Sequence, residues 1–308
     1  MLVTVAMCTW NRAALLDQTL TRMRELRIPA GLTWELLIVN NNSTDNTDEV
    51  IDKHTANLPI RRLLEKKQGH SNARNCAIDH AQGELILWTD DDVDPDLGWL
   101  SAAVEAFARH PDAAAVGGPI EPWFAIDPDP DLMAAFRELR IGYCGVDHGP
   151  NERWLGVGEA IYGANMAFRR SLVTGLRFDP RTGRNGVILS NGDDTTYVAA
   201  VRNRGGKVLW APPMRLRHYV DPHRMTLPYL ERFNRDNARL EVLTTPGGPY
   251  STIFGVPRWL IRQYAAAVAR TWLFRLACRR QDRLRALREK WTLRGRIAGY
   301  RALAQEPA

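Results

Sequence analysis

No apolar run in this 308-residue chain reaches the roughly 18 uncharged residues that a membrane-crossing helix needs. Cysteine is scarce: Cys8, Cys76, Cys144 and Cys278 lie far apart and none stands in a Cys-x-x-Cys pair, so neither a zinc centre nor a disulfide framework is expected. Internal repeats and low-complexity tracts are missing too. With ordinary apolar and charged fractions, the chain is long enough to bury one large core, with or without an appendage. Met1 leads into Leu2 to Met7 without a basic leader, and Asn11 and Arg12 end that stretch too soon for a signal peptide, so a cytoplasmic protein is expected. A basic body is also lacking. The net charge is +6, yet 13 Lys and Arg from Arg258 onward face only Asp282, Glu289 and Glu306, which leaves 28 basic against 32 acidic residues elsewhere. A nucleic-acid-binding protein would carry the excess on its folded body, so no nucleic-acid partner is expected.

Leu2 to Met7, Trp34 to Val39, Ile60 to Leu64 and Leu85 to Trp88 read as strands. Helical spacing follows the first in Leu15, Leu16, Thr19, Leu20, Met23 and Leu26. Such alternation inside 92 residues predicts an α/β, mostly parallel, doubly wound (Rossmann-like) sheet. Each strand hands over to a polar cluster at its C-terminal end: Thr9-Trp10-Asn11-Arg12, then Asn40-Asn41-Asn42-Ser43-Thr44-Asp45, then Gly69 to Asn75. In an open α/β sheet that is the edge where ligands bind. The fourth strand ends on Asp90, Asp91 and Asp92, three carboxylates whose mutual repulsion calls for open water or a cation. A solvated acidic turn is the plain alternative; a hard divalent ion such as Mg²⁺ or Mn²⁺, sharing its oxygen ligands with substrate phosphates, is the functional one.

These motifs, continued by Gly83-Glu84, Gly163 to Arg170, Gly192-Asp193-Asp194-Thr195-Thr196-Tyr197 and Arg217-His218, form an ordered set. The set resembles the family-2 glycosyltransferases with a glycosyltransferase-A fold over roughly residues 2 to 240. The resemblance implies that Trp10 stacks on a nucleobase, that Asn40 and Arg74 contact it, and that Asp90 meets the ribose. Thr9, Asn11, Arg12, Asn42, Asp91 and Asp193 would line the donor site. Asp92 and His218 would hold the metal, and Asp194 would be the general base of an inverting transfer. The resemblance implies a uridine donor base, and two departures from the family pattern stand out: Asn40 replaces the Asp of many members, which changes the hydrogen bonds offered to the base, and Asp193 replaces a Glu.

Pro119 to Gly163 is irregular and rich in Pro and aromatics, the kind of long segment that lies over a substrate. Late strands are expected at Lys207 to Ala211 and Met214 to Leu216, a charged helix from about Leu227, and a linker at Gly247, Gly248 and Pro249. Basic amphipathic helices follow, one after Pro257 and one from about Arg280. The expected division is a catalytic domain over 1–245 and a helical tail over 246–308. With Trp259, Trp272 and Trp291 among its arginines, the tail fits an anionic membrane surface from the cytoplasmic side, or else a helical pair packed on the domain. The expected activity is metal-dependent transfer of a sugar from a nucleotide-sugar donor to a saccharide or lipid-linked acceptor in polysaccharide or glycolipid assembly. A nucleotidyltransferase and a non-catalytic nucleotide-sugar-binding module are the rivals.

Overall fold

The computed structural model describes residues 1–136, 145–182, 192–245, 247, 248 and 250–305. Cys144, Pro249, Glu306 and part of the irregular segment read in the sequence fall outside them.

The first 92 residues build four strands, β1 (Leu2–Thr9), β2 (Thr33–Asn40), β3 (Ile60–Leu64) and β4 (Leu85–Asp90), separated by α1 (Ala13–Met23), α2 (Thr47–His54) and α3 (His70–His80). These strands are mutually parallel. Val3, Val5, Ala6, Leu36 to Val39, Leu85 and Leu87 are shut off from water, as in a sheet covered on both faces. Beyond β4 come β5 (Val93–Pro95), α4 (Trp99–Arg109), β6 (Ala113–Gly117), β7 (Ile120–Phe124), β8 (Arg153–Trp154), β9 (Met166–Arg169), α6 (Asp193–Asn203), β10 (Lys207–Trp210) and β11 (Leu216–Val220). The main sheet runs β3-β2-β1-β4-β9-β6-β10-β8, and β9 is antiparallel to both neighbours. A small second sheet has the order β5-β11-β7.

β11 starts at Leu216, where the sequence pattern had suggested an end. Leu216, His218 and Val220 turn inward while Arg217 is exposed, so an inward histidine masks the apolar alternation. The segment that reads as irregular contains regular structure among its described residues. β7, β8 and α5 (Pro130–Ala135) lie within it, and Asp129 caps α5 by accepting from the Asp131 and Leu132 amides.

Two compact units emerge. Met1–Trp123, Cys144–Asn185 and Asp193–Tyr219 form the first, with a core running from Val3 through Trp99 to Trp210. Phe124–Tyr143, Gly186–Gly192 and Val220–Ala308 form the second. It carries α5, α7 (Leu227–Thr244), the hairpin β12 (Thr252–Ile253) and β13 (Val256–Pro257), α8 (Arg258–Leu276) and α9 (Arg280–Leu303). Here α9 packs along α7 and α8, and Phe136 stacks on Trp291. Residue 245, the expected boundary, falls inside this unit because α7 belongs to the α9 packing. Among the described residues, no helix is long and apolar enough to cross a membrane.

Candidate functional site

β1 is bonded to β2 on one side and to β4 on the other, so the chain reverses its winding between β1 and β4 and opens a crevice at their C-terminal ends. The registers bring Thr9 level with Asn40, and Cys8 level with Asp90. Trp10, 43 % exposed, stands at this edge with its ring unburied. Asn11 and Asn42 take left-handed backbone conformations, with φ of 51° and 62°. The Asn11 Oδ1 accepts from the Thr44 amide at 2.7 Å, and Ser43 Oγ accepts from the Asn11 amide at 3.0 Å. The β1 and β2 loops are thus tied to each other. Asn40 is buried, its Oδ1 accepting from the Ser43 amide and its Nδ2 donating to Asp48. Both ends of that amide serve the loop.

The three aspartates after β4 are shared between two cations. Arg12 Nη1 donates to Asp91 Oδ1 at 3.1 Å and to Asp92 Oδ2 at 2.6 Å. The opposed oxygens face His218: its Nε2 is 3.3 Å from Asp90 Oδ2 and 3.3 Å from Asp92 Oδ1. His218 Nδ1 is 2.9 Å from the Tyr219 carbonyl oxygen, which only accepts, so Nδ1 carries the proton. Nε2 then faces two carboxylates, an arrangement that calls either for a second ring proton, making His218 the imidazolium that pairs with both, or for a metal ion that Nε2 ligates. Asp90, Asp92 and His218 offer one ligand atom each, all within 4.8 Å of one another. Two carboxylate oxygens and one imidazole fit a divalent ion of the Mg²⁺ or Mn²⁺ type. Asp90 joins Asp92 and His218 in this set, whereas the resemblance placed Asp90 on the ribose. Burial pushes Asp90 up, but the hydrogen bond and charge of His218, helped by His70 and Arg74, hold it well below the carboxylate range. Asp91 goes the other way, pushed up by burial against the pull of Arg12.

A second acidic pair begins α6. Asp193 Oδ2 accepts from Arg74 Nη1 at 3.0 Å and sits 3.1 Å from His70 Nδ1. Burial raises Asp193, yet Arg74 and His70 outweigh it and keep the carboxyl ionised. Arg74 is itself buried, with Phe178 and Trp88 beneath its guanidinium. It fits only because residue 163 is glycine: a Cβ there would lie 1.7 Å from Arg74 Nη2. Asp194 accepts from the Gly163 amide at 3.0 Å and from the Thr195 amide at 2.7 Å. Burial, then the charge of Asp193, push Asp194 up to about 6, and the two amides and Arg74 recover only part of that shift.

The partners named around Arg12, Arg74 and His218 all belong to the first unit. His70 is the contributor that sequence reasoning passed over; its only sequence signal was its place just after Gly69, at the start of α3. Two further asparagines act as ties. Asn41 donates to the Glu65 and Lys67 carbonyls and accepts from the Gly69 amide, which fixes the entry to α3. Asn165 accepts from Trp99 Nε1 and donates to the Pro119 and Met214 carbonyls.

Residues 4–132 match the profile of glycosyl transferase family 2. The chain is 25 % identical over 236 residues to the succinoglycan biosynthesis protein ExoM of Rhizobium meliloti, covering 75 % of this chain and 71 % of that protein. It is 24 % identical over 200 residues to a glucosyl-dolichyl phosphate glucuronosyltransferase of Haloferax volcanii, covering 64 % and 62 %. Among solved structures, the mannosyltransferase PcManGT from Pyrobaculum calidifontis, in complex with GDP-Man and Mn²⁺, aligns over 99 % of this chain and 88 % of its own with a TM-score of 0.63 at 18 % identity. TarS 1–349 of S. aureus, in complex with UDP-GlcNAc, aligns over 96 % and 90 % with a TM-score of 0.57 at 14 % identity. These two likenesses establish a shared fold.

Proposed function

We propose that this chain, whose residues 4–132 match the glycosyl transferase family 2 profile and whose fold is shared with a solved mannosyltransferase, is a glycosyltransferase that moves a hexosyl group from a nucleoside-diphosphate sugar to an acceptor hydroxyl with inversion. The observation that carries this reading is the pairing of a carboxylate–imidazole cluster with a separate buried carboxyl, Asp194, raised to about 6. A group near 6 is mostly ionised at neutral pH and still basic enough to take a proton.

Asp90, Asp92 and His218 would hold a divalent ion, which supplies positive charge to the diphosphate as it leaves. Trp10 offers a flat apolar face for the base, and Thr9, Asn11, Arg12, Asn40 and Asn42 frame that end of the crevice. Arg12 sets Asp91 and Asp92, while Arg74 and His70 fix Asp193 and through it the neighbourhood of Asp194. Asp194 accepts the acceptor's proton as its oxygen bonds to the anomeric carbon and the bond to the diphosphate breaks. Two nucleotide-sugar complexes share the fold, one with GDP-Man and one with UDP-GlcNAc. Uridine is the base favoured here. The names of the two curated relatives, one in succinoglycan biosynthesis and one acting on glucosyl-dolichyl phosphate, support a saccharide or lipid-linked acceptor. A peripheral place on the cytoplasmic face of a membrane completes the proposal.

Incubating the protein with a panel of UDP-sugars and Mn²⁺ or Mg²⁺ tests the reaction class. Slow, metal-dependent release of UDP supports transfer. Release of UMP instead marks a nucleotidyltransferase, and metal-dependent binding without turnover marks a binding module.

A further inference from the structure

α8 is apolar on two sides. Its inner side, Leu260 and Ala267, packs with Val256 and Leu293 into a small core of the second unit. Counted at 100° per residue, the opposite arc carries Ile261, Trp272, Leu273 and Leu276, all exposed, the last at 80 %. A helix hydrophobic all round belongs inside a core or against lipid, and this one leaves its outer arc open to solvent.

The hairpin before it adds a second, independent observation. Its turn is Phe254-Gly255, with φ of 48° and 74°. Such two-residue turns with both φ positive favour Asn-Gly or Asp-Gly. A phenylalanine in the left-handed region is strained, and here its side chain is 92 % exposed with no packing to offset the strain. The hairpin adjoins the start of α8, where Tyr250 meets Trp259 edge-on.

The charge on α8 itself has one sign. α8 contains four arginines and no acidic residue. Arg270 is tied to Glu289 on α9, but Arg258, Arg262 and Arg275 are exposed and make no ion pair with a described carboxylate. Two copies of the chain pressed together on this face would bring these uncompensated cations into opposition. Anionic lipid satisfies both features, because arginine stems reach along an apolar face to phosphate while aromatic and aliphatic tips enter the acyl boundary.

We propose that the outer arc of α8 and the Phe254 tip form one surface that lies on an anionic lipid bilayer without crossing it. This deepens the peripheral placement in the functional proposal by naming the surface, and it is independent of the transfer chemistry.

The test is flotation of the full chain with vesicles of phosphatidylcholine alone and of equal parts phosphatidylcholine and phosphatidylglycerol. It compares wild type, Phe254→Ser, Trp272→Ser/Leu276→Ser and Arg258→Gln/Arg262→Gln, each checked for an unchanged melting temperature. Wild type should float with the anionic vesicles only. The double serine variant should need roughly tenfold more lipid, Phe254→Ser several-fold more, and the arginine variant should lose the preference for phosphatidylglycerol. Flotation of wild type with neither vesicle overturns the surface and the peripheral placement together. Equal flotation of all four proteins overturns the surface alone. So does a change of oligomeric state by light scattering in the serine variants with flotation unaltered, since that assigns the face to a second copy. Metal-dependent UDP release, measured on the same samples, is expected to be equal in all four and separates failure here from failure of the transferase reading.

Discussion

Asp90–Asp92 and Asp193–Asp194 are two runs of aspartate in the same unit, buried apart from the partly exposed Asp90, and they are built for opposite tasks. In the first, Arg12 and His218 divide the carboxylate oxygens between them, and Asp90 is held ionised at every ordinary pH. In the second, Arg74 and His70 both pair directly with Asp193, so its neighbour Asp194 meets burial and a fixed negative charge with only the more distant charge of Arg74 and two amides in compensation. The number and direction of cations, not the residue type, separate a ligand-type carboxylate from a base-type one.

The sharpest way to break this contrast is at Asp92. Asp92→Asn removes an anionic ligand atom, and metal-dependent UDP binding by calorimetry should disappear, a loss larger than the roughly 10- to 100-fold expected for an outer partner. Unchanged affinity and metal dependence would take Asp92 out of the cluster. Arg74→Met comes next. It leaves Asp193 buried without its main cation, so unfolding free energy should drop by about 3–5 kcal/mol, and any activity left should shift its acidic limb to higher pH as both carboxyls rise. A melting temperature like that of wild type would contradict the role of Arg74. Trp10→Ala probes the donor end. Base stacking is worth about 1–3 kcal/mol, so UDP affinity should weaken roughly 5- to 150-fold with turnover at saturation little changed.

The smallest effect is a stability difference with pH. Asp194 is raised from 3.8 to about 6, so between those values the folded chain holds a proton that the unfolded chain has released, and stability falls as pH rises. Asp194→Asn lacks this group. Its melting temperature relative to wild type should therefore be lowest near pH 4 and gain steadily until about pH 7. A difference that is flat over that window would mean that Asp194 titrates like a free carboxylate.

The strands that carry the site were legible because their apolar runs are continuous and end in polar clusters, as at Val39-Asn40 and Trp88 to Asp92. β6 was not: Ala-Ala-Ala-Val-Gly has little strand propensity, and only tertiary burial makes it a strand. The helix α4 after it went unread as well, although Trp99, Ala103, Ala106 and Phe107 recur at helical spacing on its buried side. The residue types of the site were legible, but their division of labour was not. Nothing in the spacing of Arg74 and Asp193, 119 positions apart, says that one neutralises the other. Nor does the sequence say that Asn40 spends its amide on Ser43 and Asp48.

The separation of ligand and base is tested most directly by Asp194→Asn, assayed in one preparation for metal-dependent UDP binding and for sugar transfer. Asn caps a helix as Asp does but cannot take up a proton as a base. The account predicts wild-type UDP affinity with wild-type metal dependence, and transfer reduced by a factor of roughly 10² to 10⁴. Transfer near the wild-type rate, or loss of UDP binding along with transfer, would contradict it.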